Sequence, residues 1–173
     1  MIKSCHPEDE LAYLRGILQM LEAEGEAAEI GVYHGATAQI IQQELLGREI
    51  HLFDTFGGIP SEYAEENWPN GAYRCSLDDV RSNIGEDFIF HKGDIVKTKI
   101  EAPSRLCFVH FDLDVYFPLQ DSLGFFYDKL SPGGVMLVSN YDRSHPGVIR
   151  AVDEFNKTKR YKRYSRYVTL KHG

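Results

Sequence analysis

What most constrains this chain is a regular alternation of short, mostly apolar runs with segments of helical period. Residues 27–32 (AAEIGV), 49–54 (EIHLFD), 88–91, 106–111 (LCFVHF) and 135–138 read as strands. Each is too short for an ordinary helix, and most are too apolar for a sheet with one wet face. Between them lie helical segments. The first, 8–22, carries Leu11, Leu14, Ile17, Leu18 and Leu21 at helical spacing behind Pro7. Residues 37–46 form the next, stopped by Gly47, followed by 79–84, by 119–130 ahead of Ser131-Pro132-Gly133-Gly134, and by 148–155. Such alternation predicts an α/β domain with a mostly parallel, doubly wound sheet covered on both faces. The stretch 161–170 is rich in Tyr, Val and Thr and predicts an antiparallel edge hairpin.

A chain of 173 residues fits one domain, 1–173, with no linker or repeat dividing it. No apolar run approaches the ~20 residues needed to cross a bilayer, and the first residues lack a signal-like pattern. Cys5, Cys75 and Cys107 form no CxxC pair, so a reduced, cytoplasmic protein is expected. The balance of 26 acids against 19 bases, net −7, does not suit nucleic acid as the main partner. Lys157, Lys159, Arg160, Lys162, Arg163 and Arg166 make the tail basic, interleaved with tyrosines. We read that tail as the solvated face of an edge hairpin. One irregular stretch, 57–76 (GGIPSEYAEENWPNGAYRCS), holds the sole tryptophan, Trp68. Loops of that length are commonly functional, and a wall pinned by a buried aromatic and a substrate lid are both consistent with it.

Ligands of open α/β sheets bind beyond the carboxyl ends of the strands. The first such end reads Glu29-Ile-Gly31-Val-Tyr-His-Gly35; neither G-x-G-x-x-G nor a G-x-x-x-x-G-K-[ST] phosphate loop occurs. Glu29 would repel a phosphate but accept from an ammonium group, and Gly31 and Gly35 would let backbone approach a ligand. Tight strand-to-helix packing explains those glycines equally well. Asp54 ends the second strand, where an acid can take both hydroxyls of a ribose. An acid that caps the following turn would look the same. An acidic glycine loop, a second-strand acid and no phosphate site point together to S-adenosylmethionine. His110-Phe-Asp112-Leu-Asp114-Val-Tyr116 ends the fourth strand, and Ser139-Asn140-Tyr141-Asp142 the fifth. Asp112 and Asp114 face one side if the strand continues, and a close carboxylate pair raises one pKa, as a general base requires; a cap of the following helix is the other reading of Asp114. His34 and His145 are read as polar neighbours of the site.

These pieces resemble one family. Glu29-Ile-Gly31-Val, Leu52-Phe-Asp54-Thr-Phe-Gly-Gly-Ile-Pro60, Lys92-Gly93-Asp94, His110-Phe-Asp112-Leu-Asp114-Val-Tyr116, Leu130-Ser-Pro-Gly-Gly134 and Arg150-Ala-Val-Asp-Glu-Phe155 follow the order of the macrocin O-methyltransferase family. The resemblance implies a class I methyltransferase (Rossmann-like) fold of about seven strands. It also implies S-adenosylmethionine-dependent methylation of a sugar or other small natural-product or polysaccharide hydroxyl. It places Glu29, Gly31, Gly35, Asp54, Gly93, Asp94 and Asp112 around the cofactor, makes Asp112 the first carboxylate of a magnesium site, and makes Asp114 the base. Asp112 and Asp114 are thus the expected catalytic pair.

Two departures stand out. The family's Asp-Asp-Tyr after the fifth strand is Ser139-Asn140-Tyr141 here. That leaves Asp112 and the amide oxygen of Asn140 as metal ligands, and magnesium binding is expected to be weak or nil. About 25 residues precede the first strand, fewer than is usual in the family. The acceptor pocket is then expected to be open, built by 57–76, or completed by a neighbouring subunit in a homo-oligomer. A different class of reading is a catalytically inactive S-adenosylmethionine-binding or assembly protein of the same fold. A nucleotide-dependent oxidoreductase is disfavoured by the missing G-x-G-x-x-G.

Overall fold

A computed structural model describes residues 2, 4–158, 161–164 and 167–171. Its centre is a seven-stranded sheet in the order β3-β2-β1-β4-β5-β7-β6. The strands β1 (Glu26–Ile30), β2 (Ile50–Asp54), β3 (Ile89–Lys92), β4 (Leu106–Phe111) and β5 (Leu130–Val138) are mutually parallel. The last two, β6 (Tyr161–Tyr164) and β7 (Tyr167–Lys171), form a hairpin whose second strand pairs antiparallel with β5. The doubly wound α/β expectation holds. The expected antiparallel edge hairpin is there as well: β7 pairs with β5, and β6 forms the outer edge on that side of the sheet. Tyr167, Val168 and Leu170 are buried, whereas Lys162 and Arg163 are exposed, so burial decides which strand goes inside. Lys159, Arg160 and Arg166 of the basic tail lie outside the described residues.

Six helices cover the sheet: α1 (Glu8–Gln19), α2 (Ala36–Glu44), α3 (Leu77–Ile84), α4 (Ile95–Thr98), α5 (Tyr116–Tyr127) and α6 (Pro146–Phe155). The two faces follow the two-residue period of the strands. Ala27, Leu52 and Phe108 pack toward α1–α3, with Leu14, Leu18 and Ile41. Ala28, Phe53 and Val109 pack toward α4–α6, with Leu123 and Phe126. Helix α5 starts three residues before its expected beginning, because Pro118 is tolerated in a first helical turn. Its N-terminal amide, Tyr116 N–H, donates to Glu65 of the long loop (3.0 Å), a cap contributed from 51 positions away. The turn expected at 131–134 is instead part of β5, where Leu130 pairs with Leu106 and Val135 with Phe108 across an irregular register.

Where β1 ends, Gly31 has φ +87°, and a Cβ there would lie 2.2 Å from the carbonyl oxygen of Asp112. Backbone proximity between the ends of β1 and β4 therefore requires this glycine. Gly35, the N-cap of α2 at φ +87°, is required by helix packing, since a Cβ would meet Ile84 at 2.6 Å. Ahead of α1, His6 anchors the chain against the end of β4. Its Nε2 donates to Asp112 Oδ2 (2.9 Å), its Nδ1 lies 3.5 Å from Glu10, and its ring stacks on Tyr167 at 5.7 Å. Burial alone would lower the His6 pKa, but the carboxylates of Asp112 and Glu10 outweigh it and raise it to about 9.

Two outcomes follow for stability. Gly31→Ala combines left-handed strain of ~1–3 kcal/mol with overpacking of ~1–3 kcal/mol. Its denaturation midpoint should fall sharply, and a midpoint equal to wild type would contradict the close approach. A raised histidine pKa stabilises the fold fully below the unfolded value of 6.5, and that contribution is lost as pH rises through about 9. Melting temperature should therefore decline between those pH values in the wild type, and decline less in His6→Ala.

Candidate active site

The carboxyl ends of β1, β2, β4 and β5 open into one cavity of about 390 Å³. That is within the ordinary range for a small-molecule site, roughly 300–1,000 Å³. Gly31, Asp54, Gly93, Asp94, Asp112, Asp114 and Asn140 all line it. Among the described residues four non-glycines take positive φ, namely Tyr33, Phe56, Tyr73 and Asn140, and all four sit in the loops around this opening. Such strained conformations cost ~1–3 kcal/mol each and cluster at working sites.

The loop 57–76 builds one wall and is held at several points. The Tyr63 hydroxyl donates to Asp94 Oδ2 (2.8 Å), Glu65 caps α5, and Trp68 stacks on His145 with ring centroids 4.4 Å apart. Tyr73 lies against both Trp68 (5.8 Å) and Tyr33 (5.5 Å), giving the cavity an aromatic side. Ile59, Pro60, Tyr63, Trp68 and Tyr73 of this loop all line the cavity.

Asp54 ties two loops together. Its Oδ2 accepts from Val32 N–H (2.7 Å) and Tyr33 N–H (3.2 Å), and its Oδ1 from Phe56 N–H (2.8 Å). The carboxylate thus caps its own following turn and also fixes the β1–α2 loop. Asp94 caps α4 through Val96 N–H (3.0 Å). Both acids remain on the cavity wall.

Glu29 is placed differently from its expected role. It is fully buried and absent from the cavity lining; its Oε1 accepts from His110 Nδ1 (2.8 Å), and His110 Nε2 lies 2.7 Å from the Ser139 hydroxyl. Glu29 lies within β1 and shares the face of Ala27, so the strand's period turns it into the sheet rather than toward a ligand. Gly35 is likewise absent from the cavity lining. Ser139 is buried on the Glu29 side, whereas Asn140 faces the cavity.

Strand β4 ends at Phe111, so it is not strand alternation but a shared amide that brings Asp112 and Asp114 together, with partners no motif announced. Asn140 Nδ2 donates to both Asp112 Oδ1 (3.0 Å) and Asp114 Oδ1 (3.1 Å). His6 holds the other oxygen of Asp112, and His145 Nε2 lies 3.2 Å from Asp114 Oδ1. His145 Nδ1 is itself 3.0 Å from Asp142. Burial raises the Asp114 pKa; the His145 hydrogen bond opposes that, and the neighbouring Asp112 charge adds to it. For His145, burial lowers the pKa, but its hydrogen bonds to the Asp114 and Asp142 carboxylates outweigh it and leave it raised. His6 and His145 are thus the site residues that sequence reasoning missed or undervalued. His145 had a signal in its proximity to Asp142; His6, 106 positions from its partner, had none.

The donor set does not fit magnesium. Magnesium demands octahedral oxygen ligands at about 2.0–2.1 Å. Here the groups facing the carboxylate pair from His6, Asn140 and His145 are nitrogens, and Ser139 is turned away. Among the described residues, the one group of three metal-competent side chains is Glu26, Glu49 and His51, at the opposite end of β1 and β2.

Comparison with known proteins agrees with this architecture. The curated 8-demethyl-8-(2,3-dimethoxy-alpha-L-rhamnosyl)-tetracenomycin-C 4'-O-methyltransferase of Streptomyces olivaceus is 26% identical, the match covering 68% of this chain and 53% of that protein. The chain thus spans about half the length of this curated relative. Among solved structures, the O-methyltransferase NovP superposes with a TM-score of 0.81 at 24% identity, covering 94% of this chain and 79% of that one. The calicheamicin methyltransferase CalS11 gives 0.80 at 20% identity, covering 98% and 81%. An O-methyltransferase from Bacillus cereus in complex with SAH gives 0.62 at 16% identity, covering 96% and 82%. At these identities the superpositions show the fold. The family model of macrocin O-methyltransferases matches residues 11–164, nearly the whole domain, and the chain belongs to that family.

Proposed function

We propose that the protein transfers a methyl group from S-adenosylmethionine to a hydroxyl of a sugar or related small natural-product or polysaccharide acceptor. The observation that carries this reading is the Asp112–Asp114 pair on the wall of an aromatic-sided cavity, in a chain of this family. When bound, S-adenosylmethionine supplies a methyl group activated by its sulfonium. Gly31, Val32 and Tyr33 at the end of β1, with Asp54, Gly93 and Asp94, would hold it; Asp54 has already fixed that first loop in place. An uncharged leaving sulfur needs no acid, so the protein's task is positioning and removal of one proton.

Asp114 is the group to take that proton. Its raised pKa makes it a stronger base than an ordinary carboxylate, and His145 beside it holds the carboxylate in place before the proton is taken. Asp112, held between His6 and Asn140, orients the acceptor hydroxyl. Trp68 and Tyr73 line the cavity with aromatic surface, which suits a sugar ring, and the tetracenomycin enzyme is named for a rhamnosyl substrate. The cavity is lined by both Asp142 and His145 and is closed by no described transmembrane segment: no helix among the described residues is long and apolar enough to cross a membrane.

Calorimetry with S-adenosylhomocysteine, followed by turnover on a panel of deoxysugar glycosides, nucleotide sugars and phenols, tests the proposal. Binding without turnover on any acceptor would favour the inactive assembly reading instead. Asp114→Asn should lower the transfer rate by roughly 10²–10⁴-fold, the usual contribution of a positioned base, while S-adenosylhomocysteine still binds. Asp54→Ala should weaken that binding by about 1.5–3 kcal/mol, the range for a hydrogen bond to a charged group. Unchanged affinity in a folded Asp54 variant would remove it from the cofactor site.

A further inference from the structure

The family resemblance gives Asp112 to magnesium, yet the structure gives it to a histidine from the other end of the chain. Asp112 and Asp114 each lie within hydrogen-bond distance of one amide nitrogen, so two negative charges crowd a partly buried site. Carboxylates this close need partners to hold them in place. We infer that His6 takes the place of the divalent ion at this carboxylate pair, so that the protein sets Asp112 and Asp114 in position without a metal. The inference rests on the methyltransferase reading for what the two acids do, but not for how they are held.

Three observations carry it. First, His6 is a built-in partner rather than a swinging surface side chain: its side chain is 6% exposed, clamped between Glu10 and Tyr167. Glu10 is itself 1% exposed in the first turn of α1, so the residues leading into that helix are fixed to the sheet by this histidine. Second, each carboxylate has its own imidazole, His6 at 2.9 Å from Asp112 and His145 at 3.2 Å from Asp114, with Asn140 bridging the two. A magnesium ion entering here would have to turn the Asn140 amide over and displace His6, exchanging nitrogen donors for too few oxygens. Third, the position where the family carries one of its further acids, Ser139, is buried against His110 and cannot restore that charge at the cavity. His6 is in this sense a positioning residue: it acts through Asp112.

Manganese(II) as a stand-in for magnesium, read by the electron paramagnetic resonance signal of the free aquo ion, tests this directly. The wild type should leave the ion free up to millimolar concentration, and its affinity for S-adenosylhomocysteine should be the same in magnesium and in chelator. His6→Ala combined with Asn140→Asp removes the internal partner and adds an acid, and should bind manganese roughly tenfold more tightly or better. Micromolar manganese binding by the wild type would overturn the inference. So would a double variant that melts cooperatively yet binds no better than wild type. Should the double variant not fold, Asn140→Asp alone decides: with His6 in place it should stay at the wild-type level, and a gain there overturns the role given to His6. Failure of the wild type to bind S-adenosylhomocysteine would strike at the methyltransferase reading and leave the manganese result standing on its own.

Discussion

Two carboxylates at the end of one strand, close together and largely out of water, set the terms for everything around them. Asp112 and Asp114 follow β4 directly, and no folded arrangement can leave both charges unanswered. The answers come from three separate parts of the chain: His6 ahead of α1, Asn140 after β5, and His145 at the start of α6. Each of these is fixed in turn. His6 is held by Glu10 and Tyr167, and His145 by Asp142 and the face of Trp68. The site is therefore the point where the N-terminal segment, the long loop and the β5–α6 turn are joined to the sheet.

The long loop shows the same economy. Its contacts use groups that helices leave unsatisfied or that already cap something else. Glu65 accepts from the first amide of α5, and Tyr63 donates to the acid that caps α4. Burial, reinforced by Asp94, pushes the Tyr63 hydroxyl up to about 12, so it remains a donor at any physiological pH. A segment tied to two helix starts and a stacked tryptophan is a wall of the cavity, and these contacts fix its aromatic rings in place.

Much of this was legible in the sequence, for identifiable reasons. Strands β1 to β5 and their helices follow from periodicity because both sheet faces are buried, and that leaves near-continuous apolar runs. Asp54, Asp112 and Asp114 were legible because they lie at or just past strand ends in a fold whose ligands gather there, and Asp94 only through the family resemblance. Glu29 misled because it stands one residue inside the strand, where the two-residue period and not the loop decides its direction. The charged YKRY of β6 beside the apolar YVTL of β7 did carry the signal for which strand is outermost. His6 was illegible: its partners Asp112 and Tyr167 are brought to it only by tertiary structure.

The change from acids to Ser139 and Asn140 can be traced to the other face of the sheet. His110 lies at the register position beside Glu29 in β1, and Ser139 follows β5 on the far side of it, so the three form one buried polar row. His110 Nδ1 lies 2.8 Å from Glu29 and its Nε2 lies 2.7 Å from the Ser139 hydroxyl, so both of its ring nitrogens have partners. An aspartate at 139 would bring a second carboxylate to the same buried ring, where Glu29 already has one oxygen without a partner. Serine is the residue that this row accepts. Once position 139 is committed to His110, the cavity side of the turn has only position 140, and a single acid there would have to share its space with His6. An asparagine instead donates to both carboxylates at once. The buried row and the internal histidine therefore belong to one solution, in which the charges of the site are balanced by the chain itself.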